Sequence, residues 1–103
     1  MRVLHVIARM NVGGTATYIA NLIHGLDKLG VSNLLVMGNV PKGEAEDSVI
    51  NTLKYQRIET LSRELSFAKD RKARKEIERV IESFKPDLIH THTFKAEIGR
   101  AHV

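Results

Sequence analysis

Residues 7–15 read IARMNVGGT and join an apolar run, residues 3–8, to an amphipathic run that begins near Thr15. We interpret this stretch as the end of a β-strand, a glycine-containing turn and the N-terminus of a helix. In open α/β folds such a turn lies at the carboxyl edge of a parallel sheet, where ligands bind. Gly13 and Gly14 would let the backbone approach a ligand closely, and a helix N-terminus favours an anion such as phosphate.

Two common phosphate-binding motifs do not fit this turn. The dinucleotide fingerprint needs three glycines as G-x-G-x-x-G, whereas this turn has only the adjacent pair Gly13 and Gly14. A P-loop needs Gly-Lys-Ser/Thr, which does not follow here. The turn is therefore either a phosphate or diphosphate cradle of another type, or a tight turn that simply requires small residues.

The composition describes one ordinary globular domain of 103 residues, with 43% hydrophobic and 27% charged residues. Sixteen Lys and Arg against twelve Asp and Glu give a net charge of +4, but only 5% of residues are aromatic, so we expect no nucleic-acid partner. The absence of cysteine excludes disulfides and thiolate metal sites. No apolar run reaches the roughly twenty residues that span a bilayer, so we expect a cytoplasmic protein.

The first half of the chain predicts two buried strands joined by a helix. Residues 2–8 are rich in β-branched residues and nearly uninterrupted in their apolar character, as in a central strand covered on both faces. Helical periodicity covers residues 15–29, and Gly30 supplies the stop. Residues 33–37 form the second strand of a right-handed β-α-β unit. The expected apolar stripe of the helix consists of Tyr18, Ile19, Leu22, Ile23, Leu26 and Leu29.

The rest of the chain continues the alternation of strands and helices. The expected order is a surface loop at 38–47, a helical turn at 49–53, a short strand at 55–58, a helix within 67–84, a strand at 87–92 and a further helix that begins near Lys95. This order predicts an α/β, Rossmann-like, three-layer αβα domain with a mainly parallel sheet.

The helix predicted within residues 67–84, which we call the basic helix, carries a cluster of basic residues. Asp70 with Arg74 and Lys72 with Glu76 are four residues apart, which favours a solvated, mutually paired helix face. The alternative is a peripheral contact with anionic lipid at the inner face of the membrane. The residues of that candidate contact are Lys69, Arg71, Lys72 and Lys75.

Two histidines, His90 and His92, stand two apart in the last predicted strand and therefore share one face of it. We expect one structural histidine and one that lines a cleft, and His92 is the cleft candidate because it is nearer the end of the strand. A His-x-His pair can bind a metal, but no third ligand stands at a suggestive spacing, so we expect no metal. His5 is interpreted as a core histidine of the first strand.

Two segments together resemble a known family. Residues 2–15, RVLHVIARMNVGGT, followed by an amphipathic helix, and residues 85–96, KPDLIHTHTFKA, are similar to segments of the retaining glycosyltransferases of family 4. The resemblance implies that residues 1–103 are a single, partial domain, the acceptor-side N-terminal half of a truncated GT-B fold. The C-terminal donor-binding domain would be missing from this chain, which would leave it inactive alone.

The same resemblance implies a function. Such enzymes transfer a sugar, with retention of configuration, from a nucleotide diphosphate sugar to a glycan, lipid-linked or small-molecule acceptor, for example in polysaccharide biosynthesis. It implies that Gly13 and Gly14 face the donor diphosphate and that His92 is catalytic, beside the donor sugar. It further implies that Asn11 and Thr15 line the cleft and that Lys95 pairs with the diphosphate or an anionic acceptor. No metal or other cofactor is expected.

Two other functions fit the residues without the resemblance. One is a non-catalytic α/β module that binds a phosphorylated or nucleotide ligand at the glycine turn. The other is a structural or partner-docking domain that uses the basic helix.

Overall fold

The structure, a computed structural model, describes residues 1–61 and 71–92. Its elements are β1 (Arg2–Ile7), α1 (Gly14–Lys28), β2 (Ser32–Met37), a 3-10 helix (Ser48–Thr52), β3 (Tyr55–Arg57), α2 (Arg71–Phe84) and β4 (Leu88–His92). Each corresponds to an element predicted from the sequence, and Gly30 ends α1 with φ +83°. The first part of the helix predicted within residues 67–84 lies outside the described residues, and so does the helix expected near Lys95.

The four strands form one parallel sheet in the order β3-β2-β1-β4. β1 is central, and its last residue, Ile7, lies opposite Met37 of β2 and His92 of β4. The chain moves outward from β1 through β2 to β3 and then crosses back to place β4 on the other side of β1. The strand order therefore reverses between β1 and β4, and open α/β sheets bind ligands at such a point, beyond the carboxyl ends of the strands.

Apolar residues cover both faces of the sheet, because side chains alternate along each strand. One face packs against α1 and the 3-10 helix through Ile7, Met10, Ala16, Ile19, Ala20, Ile23, Leu35, Met37, Ile50 and Leu53. The other face packs against α2 through Leu4, Val6, Ala8, Val36, Ile58, Leu61, Ile77 and Val80. This confirms the α/β, Rossmann-like arrangement. Among the described residues, no helix is both long and apolar enough to cross a bilayer.

The apolar stripe predicted for α1 is wrong at two of its positions. Tyr18 is 59% exposed and Leu29 is 78% exposed. The residues of α1 that are buried are Ala16, Ile19, Ala20 and Ile23. These four recur at three- and four-residue steps, so they form the buried face, and Tyr18 points away from it. Leu29 falls in the cap beyond the last helical residue.

Gly38 is buried although it opens the predicted surface loop. Its backbone N–H donates to the carbonyl oxygen of Ala8 over 2.8 Å, which joins the exit of β2 to the exit of β1. A Cβ added to Gly38 would lie 2.5 Å from that oxygen and 3.2 Å from Cβ of Leu61. Glycine is therefore required here by the close approach of two backbone segments.

Substitution of Gly38 by alanine is expected to lower the free energy of unfolding by about 2 kcal/mol, because the clashing atom is a backbone oxygen that cannot rotate away. The matched control is Gly25→Ala in α1, where an added Cβ meets nothing within 4 Å. That change should instead stabilise the protein by about 0.5 kcal/mol. Urea denaturation measures both, and equal stability of the two variants would contradict the close approach.

Candidate functional site

The carboxyl ends of β1 and β4 meet where the strand order reverses. β1 runs out through residues 8–13 into the glycine turn, and β4 reaches the same edge at His92, directly opposite Ile7. The structure therefore brings the glycine turn and His92 to one edge of the sheet, as the sequence predicts.

The glycine turn presents an open helix N-terminus. Gly13 has φ +145°, a backbone conformation that favours glycine, and α1 begins at Gly14. Within the described chain, no side chain caps α1, its first turn carries no acidic residue, and a Cβ on Gly13 or Gly14 would meet nothing within 4 Å. The first N–H groups of a helix have no intrahelical acceptor. The N–H groups that follow Gly13 thus lie at the positive end of the helix dipole, in a turn whose two glycines have free space at the Cβ position.

A second loop braces this turn. The side-chain amide of Asn11 donates to Oε1 of Glu44 over 2.6 Å. The backbone N–H of Val12 donates to the carbonyl oxygen of Ala45 over 3.0 Å, and that of Asp47 donates to the carbonyl oxygen of Met10 over 2.8 Å. Asn11, predicted to line the cleft, is therefore also a tether to the loop at residues 38–47. Nothing in the sequence pairs these two loops, so sequence reasoning missed the contact.

An ion pair fixes the far side of that loop. Arg57, the last residue of β3, donates two hydrogen bonds of 2.8 Å to the carboxylate of Glu46 and one of 2.8 Å to Oδ1 of Asn39. The bonds from Arg57 lower the pKa of the Glu46 carboxyl and raise the pKa of the Arg57 guanidinium. The loop is thereby anchored to β3 on one side and to the glycine turn on the other.

His5 and His90 cluster with His92 on the face of the sheet that packs against α1. The register pairs His5 with His90, and His92 follows two residues later on the same face. The ring centroids of His90 and His92 are 3.9 Å apart, and that of His5 is 6.0 Å from His90 and 5.9 Å from His92. His5 is fully buried and His92 is 5% exposed, whereas His90 is half-buried.

Hydrogen bonds determine the tautomer of His5. The amide nitrogen of Asn33 donates to Oδ1 of Asp27 over 2.8 Å and to the carbonyl oxygen of Val31 over 3.1 Å. The amide oxygen of Asn33 must therefore face His5, whose Nε2 lies 2.9 Å from it and donates the proton. Nδ1 of His5 then carries a bare lone pair. Neither this atom nor the buried Nε2 of His92 has a hydrogen-bond partner among the described residues.

Burial keeps both inner histidines uncharged at neutral pH. Desolvation lowers the pKa of His5, and it lowers the pKa of His92 to about 4, with repulsion from His90 and His5 acting in the same direction. His92 is therefore a neutral imidazole at the edge where the glycine turn also lies.

Sequence spacing did not reveal the third histidine. No third ligand stands at a suggestive spacing from His90 and His92 in the sequence, but the pairing of β1 with β4 brings His5 beside them. The interpretation of His5 as a core residue is confirmed by its burial. The missing information was the register between two strands more than eighty residues apart in the chain, which no local pattern contains.

The basic helix lies on the other face of the sheet, away from α1. Arg71, Lys72 and Lys75 are exposed, while Lys69, like Lys95, lies outside the described residues. Arg74 pairs with Glu78 at 3.8 Å, and Glu76, expected beside Lys72, accepts a hydrogen bond from Thr60 over 3.1 Å. The acidic residues of α2 thus begin at Glu76, whereas four of its basic residues lie within residues 71–75.

Comparison with known proteins then identifies the family. No curated protein and no solved structure matches the chain significantly. A family model, Glycosyltransferase Family 4, matches residues 12–102. The match includes the glycine turn, α1 and the strand that carries His90 and His92. It extends over most of the 103 residues and confirms the resemblance carried by the two motifs. The chain belongs to glycosyltransferase family 4.

Proposed function

We propose that this chain is the N-terminal, acceptor-side half of a GT-B enzyme that transfers a sugar, with retention, from a nucleotide diphosphate sugar to an acceptor. Family membership supports the class of reaction. The observation that carries the assignment of the site is the uncapped, glycine-lined N-terminus of α1, placed at the reversal of strand order on the same edge as His92.

The donor diphosphate is assigned to the turn at Gly13 and Gly14. Its negative charge is favoured by the dipole of α1 and by first-turn N–H groups that have no intrahelical acceptor. The absence of Cβ atoms lets the phosphate oxygens reach those N–H groups, and the space above both glycines is open within the described chain. A leaving diphosphate stabilised in this way does not depend on a divalent cation.

His92 is assigned to the donor sugar. Because burial holds its pKa near 4, the imidazole is neutral at pH 7 and acts as a hydrogen-bonding group toward a sugar hydroxyl. A neutral ring is also suited to an oxocarbenium-like transition state, which a nearby cation would repel. The low pKa of His92 is thus part of the proposed mechanism.

The remaining parts of the cleft follow from the family resemblance. Asn11 and Thr15 are assigned to its wall, Lys95 to an anionic group, and the opposite wall to a second Rossmann-like domain that holds the nucleotide. The acceptor is a glycan, a lipid-linked sugar or a small molecule. For a lipid-linked acceptor we include a contact of Arg71, Lys72 and Lys75 with anionic lipid at the inner face of the membrane, since all three are exposed.

The substitution Gly14→Ala tests the diphosphate site in the full-length enzyme. A methyl group here meets nothing within 4 Å, so the fold should be unaffected. The methyl group would, however, stand in the space assigned to the diphosphate, and we expect kcat/KM for a UDP- or GDP-sugar donor to fall about tenfold or more, equivalent to about 1.4 kcal/mol. Release of the nucleoside diphosphate measures the rate, and NMR of the product measures the anomeric configuration.

The matched control is Gly25→Ala, which adds the same methyl group to an open position of the same helix, away from its N-terminus. It should leave turnover unchanged. Equal rates for the two variants would contradict the assignment of the diphosphate to this turn. No turnover with any donor, together with tight binding of a nucleotide by this chain, would instead support the non-catalytic module.

A further inference from the structure

We propose that His5, His90 and His92 form a binding site for a divalent transition-metal ion of the Zn²⁺ type. The site shares His92 with the proposed glycosyl transfer, but it lies on the face of the sheet beneath the carboxyl edge, and its occupant is a cation instead of a phosphate. The proposal rests on the geometry of the three rings, on two unpartnered buried nitrogens and on the hydrogen bonds that orient His5.

The three rings are close enough to share one ion. One nitrogen from each histidine can be chosen so that all three lie within 4.8 Å of one another. Tetrahedral Zn²⁺ with Zn–N bonds of about 2.0 Å requires its nitrogens to lie about 3.3 Å apart. The nitrogens must therefore approach one another by at most about 1.5 Å. Side-chain rotation can supply this movement, because His90 is half-buried and lies on an edge strand of the described sheet.

The protonation pattern is that of metal ligands. Nε2 of His5 donates to Asn33, so its Nδ1 carries an unpartnered lone pair among the described residues. Asn33 is itself held by Asp27 and by the carbonyl of Val31. A metal-binding histidine typically donates its second N–H to such an oriented oxygen, which fixes both tautomer and ring orientation.

The cluster also contains the buried polar atoms that need a partner. Nδ1 of His5 and Nε2 of His92 have no hydrogen-bond partner among the described residues, although native structures pair nearly all such atoms. One ion bound between the rings would satisfy both atoms. It would also connect β1 to β4 across the point where strand order reverses.

The chemistry of the three ligating side chains determines which class of ion the site prefers. Three imidazoles, with neither thiolate nor carboxylate in the cluster, suit Zn²⁺, Ni²⁺ or Cu²⁺ and disfavour Mg²⁺ and Ca²⁺, which prefer oxygen ligands. A fourth position stays free for water or another small ligand.

The test is a titration of the tag-free full chain with Zn²⁺ by calorimetry and with Co²⁺ by visible absorption. We expect one equivalent to bind and the Co²⁺ spectrum to show nitrogen coordination. His90→Ala, which removes the half-buried ligand and leaves His5 and His92 in place, should raise the Kd at least about tenfold. The matched control is the double variant His24→Ala/His102→Ala, which removes the two remaining histidines of the sequence and should keep the wild-type Kd.

A second measurement keeps the proposal testable if His90→Ala does not fold. In the wild-type protein, Zn²⁺ should shift the imidazole ¹⁵N resonances of Nδ1 of His5 and Nε2 of His92, while those of His24 stay in place. No binding at millimolar Zn²⁺, or binding that the double variant loses, would overturn the site. No sugar donor is present in these titrations, so their outcome neither supports nor contradicts the proposed glycosyl transfer.

Discussion

Replacing His92 by alanine in the full-length enzyme is expected to lower kcat about 100-fold. Loss of one well-placed group that stabilises the transition state typically costs 10²- to 10³-fold in kcat, or about 3 kcal/mol. The expected loss appears in kcat more than in KM, because the imidazole is assigned to the sugar at the reacting centre and the diphosphate to the glycine turn. Steady-state kinetics with saturating donor, in EDTA so that no metal occupies the histidine cluster, measures the effect.

Because His92 is almost fully buried, the kinetic result needs a control for folding. Circular dichroism and the urea midpoint of His92→Ala establish the folded fraction at the assay temperature. His24→Ala removes a histidine of α1 that hydrogen-bonds to Thr52 and lies outside the cluster, and it should keep the wild-type kcat. A folded His92→Ala enzyme with an unchanged rate would make His92 a structural residue and remove it from the mechanism.

Acid is expected to destabilise the protein strongly between pH 6.5 and pH 4. In the folded state the pKa of His92 is about 4, whereas an unfolded histidine titrates near 6.5. In this window the unfolded chain binds the proton and the folded one does not, so the stability present above pH 6.5 is lost as pH falls toward 4. The shift corresponds to about 3 kcal/mol. The lowered pKa of His5 acts in the same direction.

Urea denaturation at pH 7.0, 6.0 and 5.0 measures this loss before the carboxylates titrate. The pKa of Glu46 is lowered by its bonds to Arg57, so the stability contributed by that pair persists until pH falls below the ordinary range of a glutamate. His92→Leu should flatten the profile between pH 6.5 and 5, and His24→Gln should leave it steep. A flat wild-type profile over that range would contradict the uncharged burial of His92.

The order of elements was predictable because hydrophobic periodicity and stop signals are local. The β-branched run of residues 2–8, the stop at Gly30 and the break at Pro86 each determine a boundary from a few neighbouring residues. Burial was predicted less well within α1, where two alanines, not Tyr18 and Leu29, meet the sheet. Small residues give a weak signal in a sequence, although they allow a helix to pack closely.

The site was predictable only in part. The glycine turn and His92 could be placed at one edge because parallel strands share their carboxyl ends. The third histidine, the bond from Asn11 to Glu44 and the chain from His5 through Asn33 to Asp27 depend on strand register and loop path. Those contacts join residues that are distant in the chain, and no spacing rule within one sequence encodes them.

The most direct test of the donor site is a ¹H–¹⁵N NMR titration of the full-length enzyme with UDP- and GDP-sugars. Binding at the glycine turn predicts that the backbone amides of Gly14, Thr15 and Ala16 shift most within this domain and that Gly14→Ala requires about tenfold more donor, or still more, to produce comparable shifts. It also predicts that the imidazole of His92 responds to the sugar donor but not to the free nucleoside diphosphate. Saturable binding that leaves these amides unmoved and shifts only residues elsewhere in the domain would contradict the assignment.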